Sequence, residues 1–210
     1  MPVLAPIDHL VYATADLESG MRAVEELTGI APTRGGQHPG RGTRNALVAL
    51  GDDVYLEIVA PDPAQDAPPA GRWLGVDAVS DARLTTWAAK GSGLTELRRS
   101  ALEHAVPLGE VKSSGRRRAD GVLLSWQLTE PEPLVADGVI PFFIDWGESP
   151  HPARTAAQGV SLIEFRIEHP HVDAIKQMLA ALGLDVEVVH AEQPGLVAVI
   201  QGRNGVVELR

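Results

Sequence analysis

The sequence contains no cysteine, which removes disulfides, thiol nucleophiles and thiolate metal sites at once. It has no run approaching the roughly 18 apolar residues that a membrane-spanning helix needs. It also has no basic region ahead of an apolar core near residue 1, the pattern of a secretory leader. The cytoplasm is therefore the expected setting, and no membrane partner is expected. Basic residues are in the minority, 18 Lys and Arg against 28 Asp and Glu, for a net charge of −10. The phosphates of a nucleic acid would meet a repulsive field, so nucleic acid is excluded as a partner. A small neutral or cationic ligand suits that charge, as does an anion held by a local basic pocket. With 44% hydrophobic and 22% charged residues among 210, the chain has the composition of a globular protein. Its length suffices for one large domain or two closely packed small ones.

What is there is a repeat. Residues 7–12, IDHLVY, run into an apolar-periodic stretch at 17–28 that stops at Gly29, and residues 162–167, LIEFRI, run into a similar stretch at 172–182 that stops at Gly183. Each copy continues as short strand-like runs, the last of which carries a glutamate, Glu57 in one and Glu208 in the other. Asp16 is a suitable helix cap, Leu17, Met21, Val24 and Leu27 fall on one helical face, and Gly29 suits a left-handed helix end. The reading is strand, helix, three strands. A weaker copy follows a Pro/Ala/Asp-rich linker at 61–71, with a strand at 82–89, a helix at 94–105, strands at 108–114, 121–128 and 140–146, and a basic hairpin tip at Arg116, Arg117 and Arg118. Three βαβββ units are thus expected, over 1–60, 61–150 (with the linker) and 151–210, in one compact α+β assembly. Curved sheets should enclose a cleft, with helices outside.

The stretches IDHLVYATADLE (7–18), HPGRGTRNALVALGDDVYLEIVAPDP (38–63) and IPFFIDWGESPHP (140–152) resemble the glyoxalase-like domain family of the vicinal oxygen chelate superfamily, which includes glyoxalase I, extradiol dioxygenases, methylmalonyl-CoA epimerase and bleomycin-resistance proteins. The resemblance implies a small-molecule enzyme of lyase, isomerase or dioxygenase type acting on a substrate with vicinal oxygens. Such an enzyme would use a divalent metal (Mn, Fe, Ni, Co or Zn) held by His and Glu from the first and last strands of paired units. The alternative within the same superfamily is a metal-free, drug-sequestering binding protein. Carried over by position, His9 and Glu57 are the first unit's ligands. Near the second unit's matching positions stand Thr85 or Thr86 and Asp145, and at the third's stand Glu164 and Glu208. If units one and two pair, the set is His9, Glu57 and Asp145. If units one and three pair, it is His9, Glu57, Glu164 and Glu208. A carboxylate that is not a ligand, Glu57 or Glu208, would move the proton next to a carbonyl.

Three further groups complete the candidate site. Glu57 lies between Leu56 and Ile58 and faces opposite to both, so it should look into the cleft, where a carboxylate needs a partner. In the loop at 35–45, His38 and Asn45 match the family pattern and are expected to touch ligand, while Arg34, Arg41 and Arg44 read as solvated arginines. Trp146 and His151 flank Asp145 and are expected to contact ligand, and Trp73, Trp87 and Trp126 offer further stacking surfaces. A homodimer is expected if the third unit, left unpaired, docks on its twin.

Overall fold

The computed structural model describes residues 6–117 and 122–210. The first unit runs β1 (Ile7–Ala13), α1 (Leu17–Thr28), β2 (Thr33–His38), β3 (Thr43–Gly51) and β4 (Val54–Pro61). The second runs β5 (Arg83–Lys90), α2 (Leu94–Glu103), β6 (Val111–Arg117), β7 (Leu123–Thr129) and β8 (Phe142–Asp145). Their strands form one curled eight-stranded sheet in the order β2-β3-β4-β1-β5-β8-β7-β6. Within each unit the first strand lies parallel to the last, β1 on β4 and β5 on β8, and the two units join where β1 and β5 run antiparallel. The α+β class and the curved sheet around a cleft are as the sequence implied. The basic side chains expected at Arg116, Arg117 and Arg118 lie outside the described residues.

Local chemistry sets the elements. Asp16 caps α1 by accepting the Ser19 amide at 2.9 Å, and Gly29 closes it with φ 73°. The buried face of α1 is Leu17, Gly20, Val24 and Thr28, which keeps Leu17 and Val24 of the expected stripe but leaves Met21 half-buried and Leu27 40% exposed. Two contacts explain the rotation. Gly20 lets the helix approach Thr14 and Ile58, where any side chain would collide, and the Thr28 hydroxyl donates to the Val24 carbonyl at 2.7 Å. Alternation then sorts the strands. Leu10, Tyr12, Leu56, Ile58 and Trp87 face the helices in one large core, while Val11, Ala13, Val59, Ala88, Phe142 and Ile144 face the concavity. Each fully buried aliphatic side chain there contributes about 1.5–3 kcal/mol.

The third stretch has the expected element order and a different sheet. Its β9 (Ser161–His169), α3 (Val172–Ala181), β10 (Glu187–His190), β11 (Gly195–Gly202) and β12 (Gly205–Leu209) form a four-stranded sheet ordered β10-β9-β11-β12. Here the first strand lies between the second and third, and the last strand is at the edge. Phe165, Ile167, Leu196, Ala198, Ile200 and Leu209 join the large core, with Phe165 edge-on to Trp87 at 5.1 Å, so this sheet packs on the convex, helix side. Its other face is an ion-pair ladder in which Arg166 meets Glu164 (2.6 Å), Glu168 (3.5 Å) and Glu208 (2.9 Å), and Arg210 meets Glu168 and Glu208. Its apolar face packs on the large core of its own chain. No described helix is long and apolar enough to cross a membrane.

Candidate functional site

The concave side carries the polar cluster, and all of its inner members come from the first unit. A β-bulge starts it. On β1 the register against β5 passes from Ile7 opposite Ala89 to His9 opposite Ala88, leaving Asp8 as the extra residue. That extra residue turns both Asp8 and His9 to one side of the sheet, where His9 Nδ1 lies 2.8 Å from Asp8 Oδ1. His9 stacks on Tyr55 at 4.6 Å, and its Nε2 lies 3.5 Å from Glu57 Oε2. Both ring nitrogens of His9 thus face carboxylates. A neutral imidazole satisfies one of them, and an imidazolium both.

A second bulge places Asn45. Between Arg34 and Gln37 the β2–β3 pairing skips Gly35 and Gly36, which oppose Asn45 alone. The Gly36 amide donates to Asn45 Oδ1 at 2.9 Å, which fixes the carboxamide's orientation, so its NH2 group points to Glu57 Oε1 at 2.6 Å. A side chain at Gly35 would collide with that Oδ1. His38 Nδ1 meets the Thr43 hydroxyl at 2.8 Å, and its Nε2 lies 3.4 Å from Glu57 Oε1 and 3.2 Å from the Asn45 amide. Glu57 is 5% exposed. Burial alone would push its carboxyl up, but His38, His9 and Asn45 together hold it down at about 2. Asp8, 1% exposed, is likewise raised by burial and brought down to about 2 by His151 and His9.

The second unit supplies the opposite wall, and it is apolar. A small cavity of about 30 Å³ is lined by His9, His38, Asn45, Tyr55 and Glu57 on one side. On the other are Trp73, Trp126, Leu128, Phe142, Ile144 and Trp146. Two segments outside the strands close it. The linker brings Trp73, whose Nε1 donates to Glu130 at 2.9 Å, while Glu130 also holds Arg41 at 2.7 Å and Lys112 at 3.3 Å. The stretch after β8 brings Trp146 and His151. Trp146 Nε1 donates to both oxygens of Asp8, at 3.2 and 3.1 Å, and His151 Nε2 lies 3.2 Å from Asp8 Oδ2.

The structure therefore brings together His9, Glu57, His38, Asn45, Trp146 and His151. Asp145 lies elsewhere: Phe142 and Ile144 face the cavity, so the next residue faces away, and Asp145 accepts the Gly147 amide beside an outer depression. A one-residue offset on a strand reverses the face. Opposite His9 stands Ala88, with Thr86 opposite Val11. Glu164 and Glu208 sit in the solvent-facing ladder of the third sheet, Glu208 paired with Arg166 and Arg210. Trp87 is in the helix-side core and donates to the Val139 carbonyl. Asp8 and Glu130 were not singled out from the sequence, although a second acidic residue directly before His9 is a visible signal. Of the loop arginines, Arg34 pairs with Glu18 on the surface, and Arg41 joins the Glu130 lock with its guanidinium 4.7 Å over the Trp73 ring.

The donor set does not suit the metal that the resemblance implies. The Asn45 NH2 group, a donor fixed in place by Gly36, occupies the angle between Glu57 Oε1 and His38 Nε2 that a shared cation would need. The facing unit contributes no ligand atom to the cavity, and among the described residues no group of three or more His, Cys, Asp or Glu is placed to hold a metal.

Comparison with known proteins agrees with the fold. No curated protein matches the chain. A crystal structure of a hypothetical protein from Staphylococcus aureus superposes with a TM-score of 0.63 at 15% identity, covering 98% of this chain and 84% of that one. Methylmalonyl-CoA epimerase from Mycobacterium tuberculosis superposes with a TM-score of 0.44 at 18% identity, covering 70% of this chain and 93% of that one. The model of the family described as a glyoxalase-like domain matches residues 7–183, both units of the half-barrel and the start of the third sheet, and the chain belongs to that family.

Proposed function

We propose that the protein binds a small organic molecule inside the half-barrel, with Glu57 as the group that orients it and no divalent metal between them. The observation that supports this reading is the division of the cavity. One wall offers a single ionised carboxylate already steadied by Asn45, and the other offers aromatic and aliphatic surface. Such a pair of walls takes an apolar body on one side and a hydrogen-bond donor or cation on the other. The net charge of −10 favours neutral or cationic ligands over anions. A cavity of about 30 Å³ holds about one water, so binding requires one of the closing segments to move. The cytoplasm is kept as the proposed setting.

A second reading rests on His9, whose two nitrogens face the carboxylates of Asp8 and Glu57. In it, His9 exchanges a proton with a carbon next to a carbonyl, and the two carboxylates stabilise the imidazolium. Lyase and isomerase chemistry both need that step.

The test is a thermal-shift screen of small aromatic amines and neutral heterocycles on wild type and Glu57→Gln. Stabilisation by a compound in wild type that is lost in the variant is expected. The same protein should carry well under one equivalent of metal by plasma mass spectrometry, and Mn, Fe, Co, Ni and Zn should leave its melting temperature unchanged. An equimolar metal that disappears in His9→Ala overturns the metal-free reading.

A further inference from the structure

The two segments that close the cavity are held very differently. Trp73 is 8% exposed and is fixed by the Glu130 hydrogen bond, by Arg41 over its ring, and by the pairing of Glu130 with both Arg41 and Lys112. Trp146 is half-buried and is followed by Gly147 in the left-handed region at φ 53°. Its ring has two long contacts to Asp8, the Trp126 ring at 5.1 Å and the edge of His151 at 6.0 Å, and it packs against apolar residues on either side. Behind it lies an open depression of about 560 Å³, lined by Asp8, Lys90, Asp145, Trp146, His151 and Arg154 among others, with room to receive the displaced indole. Trp146 and Ile144 line both spaces and stand between them.

The way Trp146 is held is also the way a ligand would be held. Its flat ring packs against an aromatic partner, and its one polar atom is met by a carboxylate that is 1% exposed. We propose that the Trp146 indole is a built-in stand-in for the ligand. A planar heteroaromatic molecule bearing a ring N–H displaces it into the depression, packs against Trp126 and donates that N–H to Asp8. This assigns a ligand class to the site, and it rests on the reading of the half-barrel as the binding site.

Two measurements test it. Trp146→Ala removes the stand-in and should bind added indole by calorimetry. Benzofuran, the same shape with oxygen in place of the N–H, should bind at least about tenfold more weakly, the factor expected for a hydrogen bond to a charged acceptor. Equal affinity for the two compounds, or no binding of either to the folded variant, overturns the proposal. The second measurement uses wild type, so it does not depend on the variant folding. The Nε1–H resonance of Trp146, identified by its loss in Trp146→Phe, should shift on titration with indole and stay fixed with benzofuran. If a compound stabilises the protein in a Glu57-dependent way while that resonance stays fixed, the half-barrel remains the ligand site and the stand-in role fails. If no compound stabilises wild type at all, the underlying reading fails with it.

Discussion

Replacing Glu57 by Gln should change the acid side of the stability curve by an amount that follows from the site. The carboxyl titrates near 4.5 when free of the fold and at about 2 within it. A pKa lowered by folding means that the native state favours the ionised form. The stabilisation is therefore complete above about pH 5 and is lost as pH falls towards 2. The shift corresponds to about 3 kcal/mol in all, and about 2 kcal/mol of it should be gone by about pH 3. The amide of Glu57→Gln does not titrate, so its curve lacks this component while keeping that of Asp8, whose lowered carboxyl adds its own acid sensitivity in both proteins. Urea unfolding followed by far-ultraviolet circular dichroism at pH 7 and at about pH 3 gives the comparison. At pH 7 the variant should be the less stable. The gap between the two proteins should narrow by about 2 kcal/mol at the lower pH. A gap that stays constant to within about 0.5 kcal/mol would show that Glu57 is not held ionised by Asn45 and the two histidines, and the account of the site would fall.

Three other outcomes follow from particular contacts. Gly35→Ala pushes a methyl group into the Asn45 carboxamide. Thermal melts should show a loss of about 1–3 kcal/mol, with the acid sensitivity of Glu57 reduced as well, because Asn45 can no longer reach it. Glu130→Gln weakens the hold on Arg41, Lys112 and Trp73, so acrylamide should quench tryptophan fluorescence more strongly in the variant than in wild type. Glu208→Gln should cost less than about 1 kcal/mol, since its partners sit in an exposed ladder, and should leave ligand stabilisation untouched; loss of ligand stabilisation would bring the third sheet back into the site.

The half-barrel was legible because its elements carry local signals: the Asp16 cap, the Gly29 stop, and the apolar alternation around Glu57. His9 and Glu57 were paired by the family resemblance, with alternation turning Glu57 inward, and their facing atoms lie 3.5 Å apart. Asp145 was misplaced because equivalence between units was read to within a residue, and on a strand one residue decides the face. Glu208 was misplaced for a different reason. Element order repeats in the third stretch, but strand order depends on which partner each edge finds, and that is a tertiary property with no local mark. Asp8 was not singled out, and strict alternation would send it to the face opposite His9; the bulge that turns both inward has no marker such as glycine in the sequence.

The distribution of the polar residues also bears on how such a scaffold acquires a specific site. The strands of the first unit hold His9, Asn45 and Glu57, and those of the second hold Trp126, Leu128, Phe142 and Ile144. Neither wall alone would make the site: the carboxylate without a facing surface would be solvated, and the apolar wall without the carboxylate would not orient a ligand. The groups that decide access, Trp73 and Trp146 with its neighbour His151, stand on segments outside the strands and are tied back by Glu130 and Asp8. Changes in those two segments can alter what enters without disturbing the sheet. Asp8 belongs to both systems, because one of its oxygens meets His9 at the floor of the cavity while the other meets His151 at its closure. A ligand that takes Asp8 from Trp146 therefore also alters the surroundings of His9.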